Sequence, residues 1–148
     1  MSANAVSTAR GESGSFTYFA HDADIGIVGR GPAIESAFEQ AARAMFAIMA
    51  SLEQVRPVEA IEVAFDEADV ELALVTWLNL ILAETRSRGM VAAAFQVSQQ
   101  GSRWLGRGSG ERWRAGLDRG VEVKGATLTM LSVSERDGVW EARCVVDV

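Results

Sequence analysis

Apolar residues return at three- and four-residue steps in only two stretches of this chain, and that periodicity constrains the fold more than any other feature. In the first stretch, Ile34, Ala37, Phe38, Ala41, Met45, Ile48, Met49 and Leu52 mark one face of a helix. Pro32 stands at its favoured first turn. In the second, Val70, Leu74, Trp77, Leu78, Ile81 and Leu82 form a face that Leu72, Val75 and Leu80 widen. Asp66 is the expected N-cap of this helix, and Arg86, Arg88 and Gly89 suit its end.

The rest of the periodic chain alternates. Phe16, Tyr18 and Ala20 predict a short strand, and HDAD predicts a turn into a second strand that holds Ile25 and Ile27. Ile61, Val63 and Phe65 predict a third strand, and residues 91 to 98 a fourth. Weaker strands at 102 to 106 and 111 to 115 are expected to flank a glycine-rich turn. Residues 121 to 134 read as one long strand with a bulge at Met130-Leu131. Arg136-Asp137-Gly138 then reads as a hairpin turn into a last strand, with Trp140, Ala142, Cys144 and Val146 on one face. This order predicts an α+β two-layer sandwich, with two helices packed on one face of a mixed or mostly antiparallel sheet. Residues 1 to 14 are polar and aperiodic and read as a disordered tail, leaving 15 to 148 as a single domain.

With 148 residues and 49% apolar content the chain can fill one core. A net charge of −6 argues against a whole-surface nucleic-acid binder, though not against a local basic patch. The single cysteine, Cys144, excludes an intramolecular disulfide and a cysteine-based zinc site. No apolar run approaches the ~20 residues of a membrane span, and the N-terminus lacks the apolar centre of a secretory signal. A cytoplasmic protein with no membrane partner is the expectation.

Three polar groups stand out. HDADIGI, residues 21 to 27, sets the only histidine, His21, beside Asp22 and Asp24 at the lip of a core strand. Asp147 and Val148 end the chain, and the only lysine is Lys124. Aspartates at neighbouring strand ends suit a hard cation, which collects carboxylate and carbonyl oxygens, but equally suit solvated turn positions. No nucleophile motif accompanies His21, there is no P-loop, and no helix pattern follows the glycine-rich run at 106 to 112. Residues 103 to 119 carry Arg103, Arg107, Arg112, Arg114 and Arg119 with Trp104 and Trp113. That segment reads either as an RNA- or partner-facing patch or as an edge hairpin protected by charge.

Taken in order, several short motifs resemble the archease family. They are His21-Asp22-Ala23-Asp24-Ile25-Gly26-Ile27, Glu35-Ser36-Ala37-Phe38-Glu39-Gln40-Ala41-Ala42, Trp77-Leu78-Asn79, Gly110-Glu111, Val123-Lys124-Gly125-Ala126-Thr127 and the terminal Asp147-Val148. The resemblance runs from about Tyr18 to Val148. It implies an accessory protein, not an enzyme, that activates a tRNA-splicing RNA ligase by promoting guanylylation and multiple turnover, meeting RNA only indirectly. It also implies a divalent-cation site, calcium first, at Asp24, Asp147 and Val148, the last through its carboxylate or carbonyl. His21, Asp22 and Lys124 would then stand beside that site or face the partner. The chain departs from the family pattern at Asp22, where a threonine is usual. It departs again at Leu128-Thr129, where Tyr-His often follows, and it lacks a histidine usual in the preceding loop. Two other readings stay open. One is an RNA-binding or chaperone module built on Arg103, Arg107, Arg112 and Arg114. The other is a small metal-dependent hydrolase using Asp24, Asp147 and His21.

Overall fold

The computed structural model describes residues 14–148, so the tail expected at 1 to 14 falls, apart from Gly14, outside the described residues. The strands are β1 (Ser15–His21), β2 (Asp24–Gly31), β3 (Glu59–Asp66), β4 (Met90–Gln100), β5 (Arg103–Arg112), β6 (Gly125–Ala126), β7 (Ser132–Arg136) and β8 (Val139–Asp147). Helix α1 (Ile34–Met49) follows β2, and α2 (Val70–Ser87) follows β3. The architecture is α+β. Every strand pairing among these elements is antiparallel, and the strands divide into two sheets. One runs β1-β2-β8, with the short β6 and β7 sharing the far edge of β8; the other runs β3-β5-β4.

Packing follows the predicted apolar faces. Phe38 of α1 stacks on Trp104 of β5 with centroids 4.8 Å apart. Trp77 of α2 meets Phe95 edge-on at 6.1 Å and donates its indole N–H to the Phe38 carbonyl at 3.1 Å. Trp77 and Trp104 are thus buried and belong to the core that joins both sheets to both helices. None of the described helices is long and apolar enough to cross a membrane.

Three local expectations are corrected. The glycine-rich turn does not exist: Arg103–Arg112 is one continuous strand. Gly106, Gly108 and Gly110 fall at alternate positions on its inner face. A Cβ on Gly106 would stand 2.1 Å from Trp77 Cζ3, and one on Gly110 would stand 1.9 Å from the Val91 carbonyl oxygen. These glycines make room for an indole and a neighbouring strand. Asp66 does not cap α2 but closes β3, pairing with Arg103 at 3.1 Å. Asp69 is the cap, its Oδ1 accepting from the amides of Glu71 (2.9 Å) and Leu72 (3.1 Å).

The third correction bears on the site. Residues 121 to 134 are not one strand, because the chain leaves the ladder between β6 and β7. Ala126 pairs with Val146 and Ser132 with Arg143, so residues 127 to 131 oppose only Cys144 and Val145. This loop is stapled rather than loose. The Val145 amide donates to the Thr129 carbonyl, and the Val145 carbonyl accepts from both the amide and the hydroxyl of Thr127. The Arg136–Val139 hairpin forms as expected, with Asp137 and Gly138 both at positive φ.

Candidate functional site

Four strand ends meet at one end of the larger sheet. The β1–β2 hairpin closes with His21 opposite Asp24, and Asp22 takes φ +53° in the two-residue turn. Ile25 pairs with Val146, so Asp24 and Asp147 are the next residues along β2 and β8. Gly125 pairs with Asp147 on the other side. His21, Asp24, Asp147 and Gly125 therefore form one row across four strands. The register and the two-residue period of strands set this row on the face opposite the helices. Ile25, Ile27, Cys144 and Val146, one residue out of phase, join the core.

The chain end is tied into this row. The Val148 amide donates to Asp24 Oδ1 at 3.2 Å, and the Lys124 amide donates to the Asp147 carbonyl at 2.8 Å. These bonds thus place Asp24, Asp147, Val148 and the Lys124 backbone at one end of the sheet. Lys124 itself is exposed, with no carboxylate partner among the described residues. His21 Nδ1 lies 3.8 Å from Asp22 Oδ2, but the Asp22 side chain is 92% exposed, so solvent screens that pair.

Helix α2 positions the fourth strand end. Asn79 Oδ1 accepts from the Ala126 amide at 2.8 Å, and Asn79 Nδ2 donates to the Ala126 carbonyl at 3.1 Å. One side chain thus replaces a missing ladder partner for β6, the two-residue strand next to Lys124. Asn79 stands in the Trp77-Leu78-Asn79 motif, which by itself assigns it no role. The available signal was a carboxamide on an otherwise apolar helix.

The donor set here is oxygen-only: two short carboxylates and the main-chain oxygens of Val148. Such a set suits a hard cation such as calcium better than zinc. Among the described residues no group of three or more His, Cys, Asp or Glu side chains comes together to hold a metal. A cation at this corner would therefore depend on main-chain oxygens and solvent to complete its shell. The same fact weighs against the hydrolase reading, which needs a fuller set of ligands.

The arginine segment is arranged differently from an open basic patch. Arg103 pairs with Asp66 at 3.1 Å, Arg107 with Glu62 at 3.0 Å and Arg112 with Glu59 at 3.6 Å, all across the β3–β5 ladder. Arg114 pairs with the buried Glu111 at 2.8 Å. That guanidinium and the Arg56 amide, at 2.7 Å, hold the Glu111 carboxyl below the usual carboxylate range. Arg119 lies over the Trp113 ring, 3.8 Å from its centroid. Trp104 is fully buried and cannot offer a face to a base. Arg103, Arg107 and Arg112 are occupied in cross-strand pairs and Arg114 in a pair within its own segment, which counts against an open RNA patch. β5 is also the central strand of its sheet, paired with both β3 and β4, so the expected edge hairpin is corrected too.

Comparison with known proteins gives a consistent result. A family model described as the Archease protein family (MTH1598/TM1083) matches residues 16–148. Protein archease of Sulfolobus acidocaldarius is 31% identical over 136 residues, covering 90% of this chain and 98% of that one. Protein archease of Methanothermobacter thermautotrophicus is 30% identical over 137 residues, with the same coverage of 90% and 98%. The solution structure of Methanobacterium thermoautotrophicum protein 1598 superposes with a TM-score of 0.76 at 28% identity, covering 90% of this chain and 98% of that one. A crystal structure described as an archease, possible chaperone, from Thermotoga maritima shares the fold, with a TM-score of 0.57 at 20% identity over 88% and 94% of the two chains.

Proposed function

The chain belongs to the archease family, and on that premise we propose that it is an accessory factor for a tRNA-splicing RNA ligase. It would promote guanylylation of the ligase and its repeated turnover. The bond-forming chemistry belongs to the partner. The observation that carries this reading is the Val148–Asp24 hydrogen bond at 3.2 Å, at the sheet end where the register makes Asp24 and Asp147 neighbours.

In this reading Asp24, Asp147 and a main-chain oxygen of Val148 hold a divalent cation, calcium first. When bound, the cation supplies positive charge and open coordination positions to an anionic group of the docked complex. The residues of this chain do the positioning. Asn79 holds β6 in place, the exposed Lys124 next to β6 offers an ammonium to a partner, and His21 flanks Asp24 on the neighbouring strand. The paired arginines of β5 and the buried Trp104 count against the RNA-module alternative.

Multiple-turnover RNA ligation by the host's ligase, with substrate in excess, tests this function. Turnover is expected to rise on adding the protein, and the rise to disappear with Asp24→Ala. An active ligase that ignores the wild-type protein overturns the proposal.

A further inference from the structure

The sheet face that carries the carboxylate row is not covered by either helix, and it holds a second built feature. Moving two residues along each strand from that row, about 7 Å, Phe19 pairs with Gly26 and Gly26 with Val145. The Phe19 ring lies over Gly26, where a Cβ would stand 2.2 to 2.3 Å from three ring carbons. One row further, Val28 pairs with Arg143, and the Arg143 guanidinium reaches back over Phe19, 4.6 Å from its centroid. Glycine in the HDADIGI stretch thus has a structural reason: it seats Phe19, and Phe19 seats Arg143.

Arg143 is placed but not neutralised. Its neighbour on the same face, Arg30, is paired with Glu141 at 3.0 Å and also donates to Thr17. Arg143 has no carboxylate partner among the described residues. The contact with the Phe19 ring restrains the guanidinium while leaving its N–H groups available to a planar, bidentate acceptor. A divalent cation would balance Asp24 and Asp147, and the Lys124 main-chain amide is already bonded to the Asp147 carbonyl. Arg143, like Lys124, then stands without a carboxylate partner among the described residues. A group with several anionic oxygens held by the guanidinium would lie on the same sheet face as the cation site.

We propose that the β1–β2–β8 face binds a phosphate group and that Arg143, held over the Phe19 ring, is its anchoring residue on the face that carries the carboxylate row. This rests on the cation site of the function proposed above. The phosphate comes either from an RNA end or from a nucleotide.

The test uses the full chain with millimolar calcium and two short labelled single-stranded RNAs, one ending in a 3′-phosphate and one in a 3′-hydroxyl. Fluorescence anisotropy is expected to show the phosphorylated RNA binding about tenfold or more tightly, the size of one charge-assisted contact. Arg143→Gln is expected to abolish that preference, and Arg143→Lys to restore part of it, with unfolding midpoints unchanged. Competition by GTP well below the concentration needed for inorganic phosphate identifies a nucleotide as the source; equal competition identifies an RNA end. Equal binding of the two RNAs overturns the proposal, as does a preference that survives Arg143→Gln. Competition by oligoglutamate as strong as by phosphate also overturns it, in favour of an acidic peptide. If ligase stimulation persists while the phosphate preference is absent, only the Arg143 site falls. If phosphate binding depends on Arg143 but the ligase does not respond, the site stands and the accessory function falls.

Discussion

The main-chain N–H of Val148 donates to Asp24 Oδ1 at 3.2 Å, joining residues 124 positions apart in the chain. It pins the end of β8 to the start of β2, beyond their last paired residues. Asp24→Ala removes this bond and one carboxylate of the proposed cation site. Calcium is expected to raise the unfolding midpoint of the wild-type protein, because a ligand that binds only the native state stabilises it. It should leave the Asp24→Ala midpoint unmoved. Equal calcium-induced shifts in the two proteins would remove Asp24 from the site.

Asn79 reaches from α2 to both polar atoms of the Ala126 backbone. Asn79→Ala leaves an amide and a carbonyl without those partners in a part-buried position. A loss of about 2–3 kcal/mol in denaturant unfolding is expected. Hydrogen exchange at the Ala126 amide should accelerate more than at Ile27 or Cys144 in the sheet centre. Unchanged exchange at Ala126 would mean that β6 is held by its pairing with β8 alone.

Gly106 and Gly101 give opposite tests of what a glycine is for. Gly106→Ala would drive a methyl to 2.1 Å from the buried Trp77 ring. Overpacking of that kind costs about 1–3 kcal/mol and should also shift tryptophan fluorescence. Gly101 has open space around it but sits at φ +60°. Its alanine variant should cost about 1 kcal/mol through backbone strain, with no fluorescence change. A fluorescence shift in Gly101→Ala but not in Gly106→Ala would contradict the packing described for β5.

Glu111 ties acid stability to the Arg114 and Arg56 contacts. Its carboxyl is held below its ordinary value first by the Arg114 hydrogen bond and then by the Arg56 amide. A group depressed in the folded state stabilises above its unfolded pKa, and that contribution fades as pH falls through the folded one. The native protein should therefore lose stability below about pH 4.3, with Glu111 contributing to the slope. Glu111→Gln should flatten the curve in that window. The same slope in wild type and variant would sink the assignment.

Cys144 is fully buried in β8, and burial pushes its thiol up to about 12. Thiol reagents near pH 8 should leave the native protein unmodified and react at once in denaturant. On the alkaline side the sign is opposite to that of Glu111. The unfolded thiol ionises from about pH 8.5 while the folded one does not, so the stability it contributes declines as pH rises from there towards 12. Rapid labelling of the folded protein would show that β8 opens locally.

Much of the fold was legible because burial leaves a local trace. The faces of α1 and α2, the β1–β2 turn at HDAD, the Asp137-Gly138 hairpin and the alternation of β8 all follow from side-chain period and turn chemistry. The residues of the proposed corner were singled out by short motifs in a fixed order, and the register sets them at one sheet end. What those motifs lacked was any sign of Asn79 as a clamp or of Gly26 as the seat for Phe19 and Arg143.

Other features had no local trace. Glycine at 106, 108 and 110 resembles a turn because the chain itself does not show that Trp77 fills the space their missing side chains leave. Asp66 and Asp69 are both chemically competent caps. Asp66 is drawn into β3 by a partner on another strand, Arg103. The division into two sheets, and the excursion at residues 127 to 131, depend on which strand each edge meets. Sequence alone determined what each segment is, since periodicity, caps and turns are short-range matters of sterics and solvation. Only the tertiary structure decided which segments meet. Asp24 lies against Val148, and Arg143 over Phe19, because long-range antiparallel register sets those pairs, and no local pattern encodes register between distant strands.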